Sequence, residues 1–501
     1  MQEFTISKLQ EKMESREMTA RQIAEMYLDR IKKFDEPVGG TNALIELNPD
    51  ALTIADQLDD ERSSGKVRGS LHGIPVLIKD NIDTCDQMTT TAGSLALDGN
   101  FARRDAFLVE RLRDNGALIL GKTNLSEWAN FRGSRSTSGW SSRGGLTRNP
   151  YALNRTACGS SSGSAVAVAA NFCTVAVGTE TDGSIICPAQ TNGIVGIKPT
   201  LGLISRTGVI PIAHSQDTAG PMARTVEDAV ILLGALAGVD EVDRATRSSA
   251  GKALIDYTPF LNQDGLNGAH IGVARSLFGS DPRVLQVMDD SLETMKAAGA
   301  ILVEVKMKSP DVFKKSEIEV LLYEFKDDLN GYLVGLGPNA NVRSMKDVIK
   351  FNEGNDERVM PYFGQERFES AVRKGPLTTK RYLNTLEKNH RLTRDEGIDA
   401  VMQKHNLDAI VCPSGGPAWL IDLINGDGVR SWDTNSTSYP AVAGYPHITV
   451  PAGYIFGLPV GLSFFGGAWQ EPTLIKLACA FEHITSVRVS PEFLPTADLT
   501  K

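Results

Sequence analysis

Residues 159–184 read Gly-Ser-Ser-Ser-Gly-Ser-Ala-Val-Ala-Val-Ala-Ala-Asn-Phe-Cys-Thr-Val-Ala-Val-Gly-Thr-Glu-Thr-Asp-Gly-Ser. Three elements follow one another in this stretch. Ser164–Ala170 is a run of small residues that suits a tightly packed helix. Thr174–Val177 is a short apolar run that reads as a buried strand, and Gly178–Ser184 is a turn. Ser184 directly follows Gly183, where backbone N–H groups can converge on one point, the geometry of an oxyanion hole. One Gly-Ser pair means only a turn. The whole ordered run is much harder to obtain by chance.

Working outward, strands and helices alternate. Thr19-Ala-Arg-Gln22 is a capping box before Ile23, Ala24, Tyr27, Leu28 and Ile31 at helical spacing, and Asn48-Pro49 opens another helix. Ile74–Ile78 and Ala117–Leu120 read as buried strands, with a helix over Asp105–Asn115 between them that closes at Gly116. Thr225 caps a helix through Leu236, and a strand–helix–strand run spans Ile271–Val273, Val284–Ala298 and Ile301–Val305. Residues 310–405 are more charged and helical, Ala409–Cys412 returns to strand, and Gln470–His483 is a late helix. The pattern predicts an α/β fold, one large domain over residues 1–501 with a central mixed sheet covered by helices on both faces. Its core spans 60–300 and 406–490, and 310–405 is a helical cap or insertion.

Two motif matches compete with the serine-rich reading. Gly116–Thr123 fits the P-loop pattern, but the four residues that should form a phosphate-cradling turn are Ala-Leu-Ile-Leu, the strand itself. Gly159-Ser-Ser-Ser-Gly163 fits the nucleophile elbow with Ser161 as nucleophile. That elbow requires a buried strand just before it, and Asn149–Ala157 is polar and turn-rich. It also needs a histidine; His214, His270, His390, His405, His447 and His483 lie downstream, none in a recognisable setting.

A serine hydroxyl needs a base to remove its proton. In His72-Gly-Ile-Pro-Val-Leu-Ile-Lys79-Asp-Asn81 a lysine ends an apolar run. Burial disfavours the ammonium and brings a lysine toward the range where its neutral amine is a base. Alone, Lys79 reads as a strand-end lysine reaching solvent or pairing with Asp80 or Asp83. Beside the serine-rich segment, the catalytic reading is favoured.

The formal net charge is −9 and no basic run is present, which argues against a nucleic-acid partner. Six cysteines in 501 residues form no CxxC pair, so reduced, mostly buried thiols are expected and no metal site is. The N-terminus is polar and no apolar stretch is long enough for a membrane helix, so a cytoplasmic enzyme without membrane attachment, a monomer or homodimer, is expected.

Lys79, the 159–164 run and Ser184, with Gly121-Lys-Thr-Asn-Leu-Ser-Glu-Trp128, Gly196-Ile-Lys-Pro-Thr200 and Asp217-Thr-Ala-Gly-Pro-Met222, resemble the amidase-signature family over nearly the whole chain. The resemblance implies a Ser–cis-Ser–Lys triad without cofactor or metal. Ser184 would be the nucleophile, Ser160, 24 residues earlier, the bridging serine in a cis peptide, and Lys79 the base. It also implies an oxyanion hole from the N–H groups of Thr181, Asp182, Gly183 and Ser184.

The commonest turn of that family is Gly-Thr-Asp-Thr-Gly-Gly-Ser; here Glu180 and Asp182 replace Asp and Gly. A side chain at 182 is placed to narrow the pocket or hold a substrate amine. This variant, with Ser126-Glu-Trp-Ala-Asn-Phe-Arg132, Ser138-Gly-Trp140 and Gly415-Gly-Pro-Ala-Trp419, is similar to bacterial peptide amidases, which remove ammonia from C-terminal peptide amides. A small or peptide amide is therefore the expected substrate. Ser161, Trp140 and Trp419 are candidate substrate contacts, with core packing the other reading of each tryptophan. The alternatives are the glutamine-hydrolysing component of the tRNA-dependent amidotransferase and a non-catalytic binding protein on the same fold.

Overall fold

Apolar runs too short to cover themselves pair edge to edge, and here they build one large sheet. The computed structural model describes residues 2–336, 340–428 and 436–500. Its strands are β1 (Leu44–Leu47), β2 (Pro75–Lys79), β3 (Leu118–Thr123), β4 (Trp140–Ser141), β5 (Gly145–Leu146), β6 (Val175–Glu180), β7 (Val195–Lys198), β8 (Thr218–Ala223), β9 (His270–Val273), β10 (Ile301–Glu304), β11 (Ala409–Pro413), β12 (His447–Ile455) and β13 (Leu458–Phe465). Eleven of them form one mixed sheet in the order β1-β3-β2-β6-β8-β7-β12-β13-β11-β9-β10, and β4 and β5 form a separate ribbon. Helices flank the sheet, as the alternation predicts.

The register of its central strands positions the site. Val76, Leu77 and Ile78 of β2 lie opposite Val175, Ala176 and Val177 of β6, in parallel. Lys79 therefore ends β2 beside the point where β6 runs on toward the turn Thr181–Ser184. Carboxyl ends of neighbouring parallel strands are where α/β sheets gather functional groups. The helix Ser162–Ala169 is buried at every residue, so its sequence shows small residues rather than an amphipathic stripe. Ser164 Oγ lies 2.7 Å from Thr123 Oγ1 and donates to the Val177 carbonyl at 3.1 Å, which fixes this helix against β3 and β6.

Residues 311–405 are largely helical, as expected of this segment. The long helix Asp311–Gly335 and the helix Glu366–Val372 share a second apolar cluster with Trp128 and Phe131, in which Phe325 meets Phe131 and Phe368 edge-on.

Several boundaries move. The strand expected to stop at Val177 continues to Glu180, where it pairs with β8, so the turn expected at Gly178–Ser184 shortens to 181–184. The helix expected from Asn48-Pro49 begins at Ala51, after Asp50, whose side chain makes no capping bond. The strand expected to stop at Leu120 continues to Thr123, because Lys122 is fully buried with Nζ donating to the Ile82 carbonyl at 2.6 Å and to Thr90 Oγ1 at 3.0 Å. That lysine belongs to the strand's own packing, so the P-loop match carries no phosphate site. The capping box at Thr19 and Gln22 and the Thr225 cap form as read.

A methyl group at Gly163 would stand 2.1 Å from the Ala43 carbonyl oxygen and 2.5 Å from that of Asn124, both backbone atoms that cannot swing away. Gly163→Ala should therefore cost about 1–3 kcal/mol or more in unfolding free energy. An unfolding midpoint equal to wild type in denaturant titration would contradict this packing.

Candidate active site

Lys79 is completely buried, and its amine is surrounded by oxygen atoms. Nζ lies 2.7 Å from Ser160 Oγ, 3.1 Å from Ser161 Oγ, 2.9 Å from Thr179 Oγ1 and 3.2 Å from the Thr179 carbonyl oxygen. A neutral amine has two hydrogens and one lone pair. Thr179 and Ser161 offer acceptors for the hydrogens, which leaves the lone pair for the proton of Ser160. Burial lowers the Lys79 pKa from its usual 10.5 to about 7, against the opposing pull of the Asp217 and Glu180 carboxylates. A large fraction is then free amine at neutral pH.

The peptide bond Gly159–Ser160 is cis, as the resemblance implied for Ser160. Its surroundings are built from the neighbouring motif: Ser126 N–H donates to the Ser160 carbonyl at 3.1 Å, and Gly139 N–H donates to Ser126 Oγ at 2.9 Å. Ser161 N–H donates to the Ser184 carbonyl at 3.2 Å, tying the two serine segments together. A second tie is covalent. Cys158 and Cys187 form a disulfide with Cα atoms 6.0 Å apart, correcting the expectation that all six cysteines are reduced. Their separation of 29 residues resembles no local cysteine motif; only the fold brings the chain before Ser160 against the helix after Ser184. Cys85, Cys173, Cys412 and Cys479 are free.

Ser184 is 7 % exposed, at the edge of the enclosure that hides Ser160 and Lys79. Glu180 Oε2 accepts the N–H groups of Ile185 and Ile186 at 2.7 and 3.0 Å, and Cys187 N–H bonds to the Gly183 carbonyl at 2.8 Å. Gly183 has φ +80°, a region open chiefly to glycine. Among the described residues, the N–H groups of Thr181, Asp182, Gly183 and Ser184 make no hydrogen bond. A turn with unused donors beside a serine is able to receive an oxyanion. Thr181 Oγ1 donates to Asp217 Oδ1 at 2.6 Å, and Gln216 Nε2 donates to the Thr181 carbonyl at 3.1 Å, so residues 216 and 217 hold the turn from outside.

The three candidate substrate contacts, Ser161, Trp140 and Trp419, fall in three different surroundings. Ser161 is fully buried, with Oγ donating to the Thr179 carbonyl at 3.0 Å and accepting its N–H at 3.2 Å. Trp140 packs edge-on against Tyr362 and Phe363 with the Arg132 guanidinium 5.3 Å from its ring centroid, which is the core reading. Trp419 lines a cavity of about 410 Å³ with Arg155, Arg283 and Phe456, a cavity that none of Lys79, Ser160 or Ser184 lines. Among the described residues no histidine bonds Ser160, Ser161 or Ser184: His447 bonds Ser463 at 2.6 Å and His214 bonds Asp328 at 2.8 Å. Sequence reasoning missed Thr179 and Asn81, whose Nδ2 donates to Thr179 Oγ1 at 3.0 Å. Their signal was position, one within the glycine-rich turn and the other two residues after Lys79.

With this geometry in place, comparison with known proteins is informative. The model of the Amidase family matches residues 22–475. A protein of Arabidopsis thaliana named a probable amidase is 41% identical, over 99% of this chain and 92% of its own length. The native peptide amidase of Stenotrophomonas maltophilia superposes with a TM-score of 0.93 at 48% identity, covering 98% of this chain and 99% of that one. A glutamyl-tRNA(Gln) amidotransferase component of Carboxydothermus hydrogenoformans is 33% identical over 96% of this chain and 97% of its own.

The buried amine makes a stability prediction whose sign is fixed. The folded-state pKa of Lys79, about 7, lies below its ordinary 10.5, so wild-type stability rises with pH between those values and the full cost of the buried ammonium is present below 7. The stability of Lys79→Met relative to wild type should therefore be greatest near pH 6 and fall toward pH 10. A pH-independent difference in thermal unfolding would contradict a lysine that titrates near neutrality.

Proposed function

The chain belongs to the amidase family, and from that premise we propose that it releases ammonia from C-terminal peptide amides through an acyl-enzyme on Ser184. It is an amide hydrolase. The observation that carries the mechanistic reading is the 2.7 Å approach of the buried Lys79 amine, its pKa lowered to about 7, to Ser160 Oγ, beside a turn of unused N–H donors.

In the proposed reaction, Lys79 Nζ takes the Ser160 proton as Ser160 takes that of Ser184. Ser184 Oγ attacks the amide carbonyl, and the new oxyanion rests on the N–H groups of Thr181, Asp182, Gly183 and Ser184. The proton returns through Ser160 to the departing nitrogen and ammonia leaves; the same relay then takes a proton from water as it attacks the ester and returns it to Ser184 Oγ as the acid departs. We take residues 1–501 as one catalytic unit with the helices of 311–405 as its cap.

Peptide amides are favoured because the Stenotrophomonas peptide amidase matches at 48% identity along the whole chain, whereas the amidotransferase component matches at 33%. No helix among the described residues is long and apolar enough to cross a membrane. The Cys158–Cys187 bond argues against the cytoplasmic setting expected from the sequence, since structural disulfides persist mainly in oxidising compartments.

Ammonia release from a panel of peptide amides, small free amides and glutamine tests the proposal. Peptide amides should be the best substrates, Ser184→Ala should be inactive, and Lys79→Ala should lose on the order of 10²–10⁴ in kcat. Activity on glutamine alone would overturn the substrate, and wild-type activity in Lys79→Ala across pH would overturn the mechanism.

A further inference from the structure

Helix Asp311–Gly335 turns one face toward the loop that braces the oxyanion turn. Glu317, Glu324 and Asp328 are seven and four residues apart, a spacing that lines them up along the helix. Three successive loop residues meet them in order. His214 N–H and Nδ1 lie 2.9 and 2.8 Å from Asp328 Oδ2, Ser215 N–H donates to Glu324 Oε2 at 2.9 Å, and Gln216 Nε2 donates to Glu317 Oε1 at 3.2 Å.

Gln216 is the member of this set that touches the turn. It is buried, and its Nε2 also donates to the Thr181 carbonyl at 3.1 Å, so the two hydrogens of one amide group are divided between turn and helix. The Thr181 carbonyl and the Asp182 N–H belong to one peptide unit, which is trans; among the described residues the cis bond is Gly159–Ser160. In a planar trans peptide the C=O and N–H point in opposite directions. A donor that holds the Thr181 carbonyl toward the loop therefore aims the Asp182 N–H away from it. The peptide unit that carries the Ser184 N–H is held likewise, since its Gly183 carbonyl accepts from Cys187 N–H at 2.8 Å.

We propose that Gln216 is a positioning residue for amide hydrolysis, aiming the Asp182 N–H at the developing oxyanion, and that Glu317 holds Gln216 in place from the cap helix. The inference rests on the reading of Ser184 as nucleophile and of residues 181–184 as the oxyanion hole. Thr181 Oγ1 is held separately by Asp217, whose Oδ2 takes the N–H groups of Ile212 and Ala213 at 2.8 Å each. Loss of Gln216 thus frees one peptide unit and leaves the turn in place.

The test compares wild type with Gln216→Met, Glu317→Ala, Glu317→Gln and the double variant Gln216→Met/Glu317→Ala. It reads kcat and KM for ammonia release from one peptide amide, and the inhibition constant of the peptide aldehyde with the same side chains. Addition of Ser184 Oγ to the aldehyde carbon makes the carbonyl oxygen the group that the turn receives, so this constant reports the aim of the N–H groups whatever fraction of the enzyme is active. Gln216→Met keeps the length of the side chain and loses both hydrogens. It should lower kcat about tenfold or more, weaken the aldehyde by a similar factor and leave KM within about twofold. Glu317→Ala should lower kcat about threefold or more, and Glu317→Gln, which keeps an acceptor for Gln216, should recover most of that loss. The double variant should match Gln216→Met alone, because both residues act through one amide.

Wild-type kcat or an unweakened aldehyde in Gln216→Met, or an effect on KM alone, overturns the role of Gln216. Additive losses in the double variant, or a Glu317→Gln enzyme as impaired as Glu317→Ala, overturn that of Glu317. If Gln216→Met does not fold, Gln216→Glu, of the same length and also without the amide hydrogens, is held to the same thresholds. Activity surviving in Ser184→Ala would instead sink the nucleophile assignment, a separate failure.

Discussion

Bringing an amine out of water is the constraint on which the rest of this structure depends. Lys79 ends a central strand, and every direction around its Nζ is filled by protein: Ser160, Ser161 and both oxygens of Thr179. Each partner comes from one continuous stretch of chain that leaves the sheet, packs a small-residue helix across it and returns through β6. The parallel register of β2 with β6 is what lets a single 26-residue excursion, residues 159–184, enclose the end of the neighbouring strand. Without the enclosure Lys79 would be an ordinary ammonium, and no side chain of this site would take a proton from serine near neutral pH.

Much of this was legible in the sequence, because the strands beneath the site are short apolar runs and the helix between them is made of small residues. The strand ending at Lys79, the Thr225 cap and the alternation beyond Ile271 follow from local pattern. What local pattern missed depends on contacts made across the fold. β3 runs on through Lys122 because carbonyl and hydroxyl oxygens of the loop after β2 accept from its Nζ. Cys158 meets Cys187 only once the two serine segments are folded together. Ser161 looked accessible as one serine of three, yet its hydroxyl turns inward to Thr179. Glu317, on a charged helical segment, has no sequence feature that marks it out; only the docking of that helix onto residues 215–217 reveals its place.

The departures of the turn from the commoner family pattern have a physical reading. Glu180 reaches one methylene farther than aspartate would and takes the first two N–H groups of the helix that follows Ser184, anchoring it. Asp182 puts a carboxyl where the commoner sequence has no side chain, and that carboxyl accepts from Ser438 Oγ at 2.7 Å. The helical segment over the sheet reaches the turn through Gln216, which donates to both Glu317 and the Thr181 carbonyl, while its apolar cluster packs on Trp128 and Phe131.

The central claim is that buried Lys79 activates Ser184, and not Ser160 or Ser161, as the nucleophile. It is tested most directly by treating the enzyme with a fluorophosphonate, digesting it and locating the adduct by mass spectrometry, in wild type and in Lys79→Ala. The account expects one phosphonylated residue, Ser184, with labelling slowed strongly in the lysine variant. An adduct on Ser161 or Ser160, or equal labelling rates in the two proteins, would contradict it.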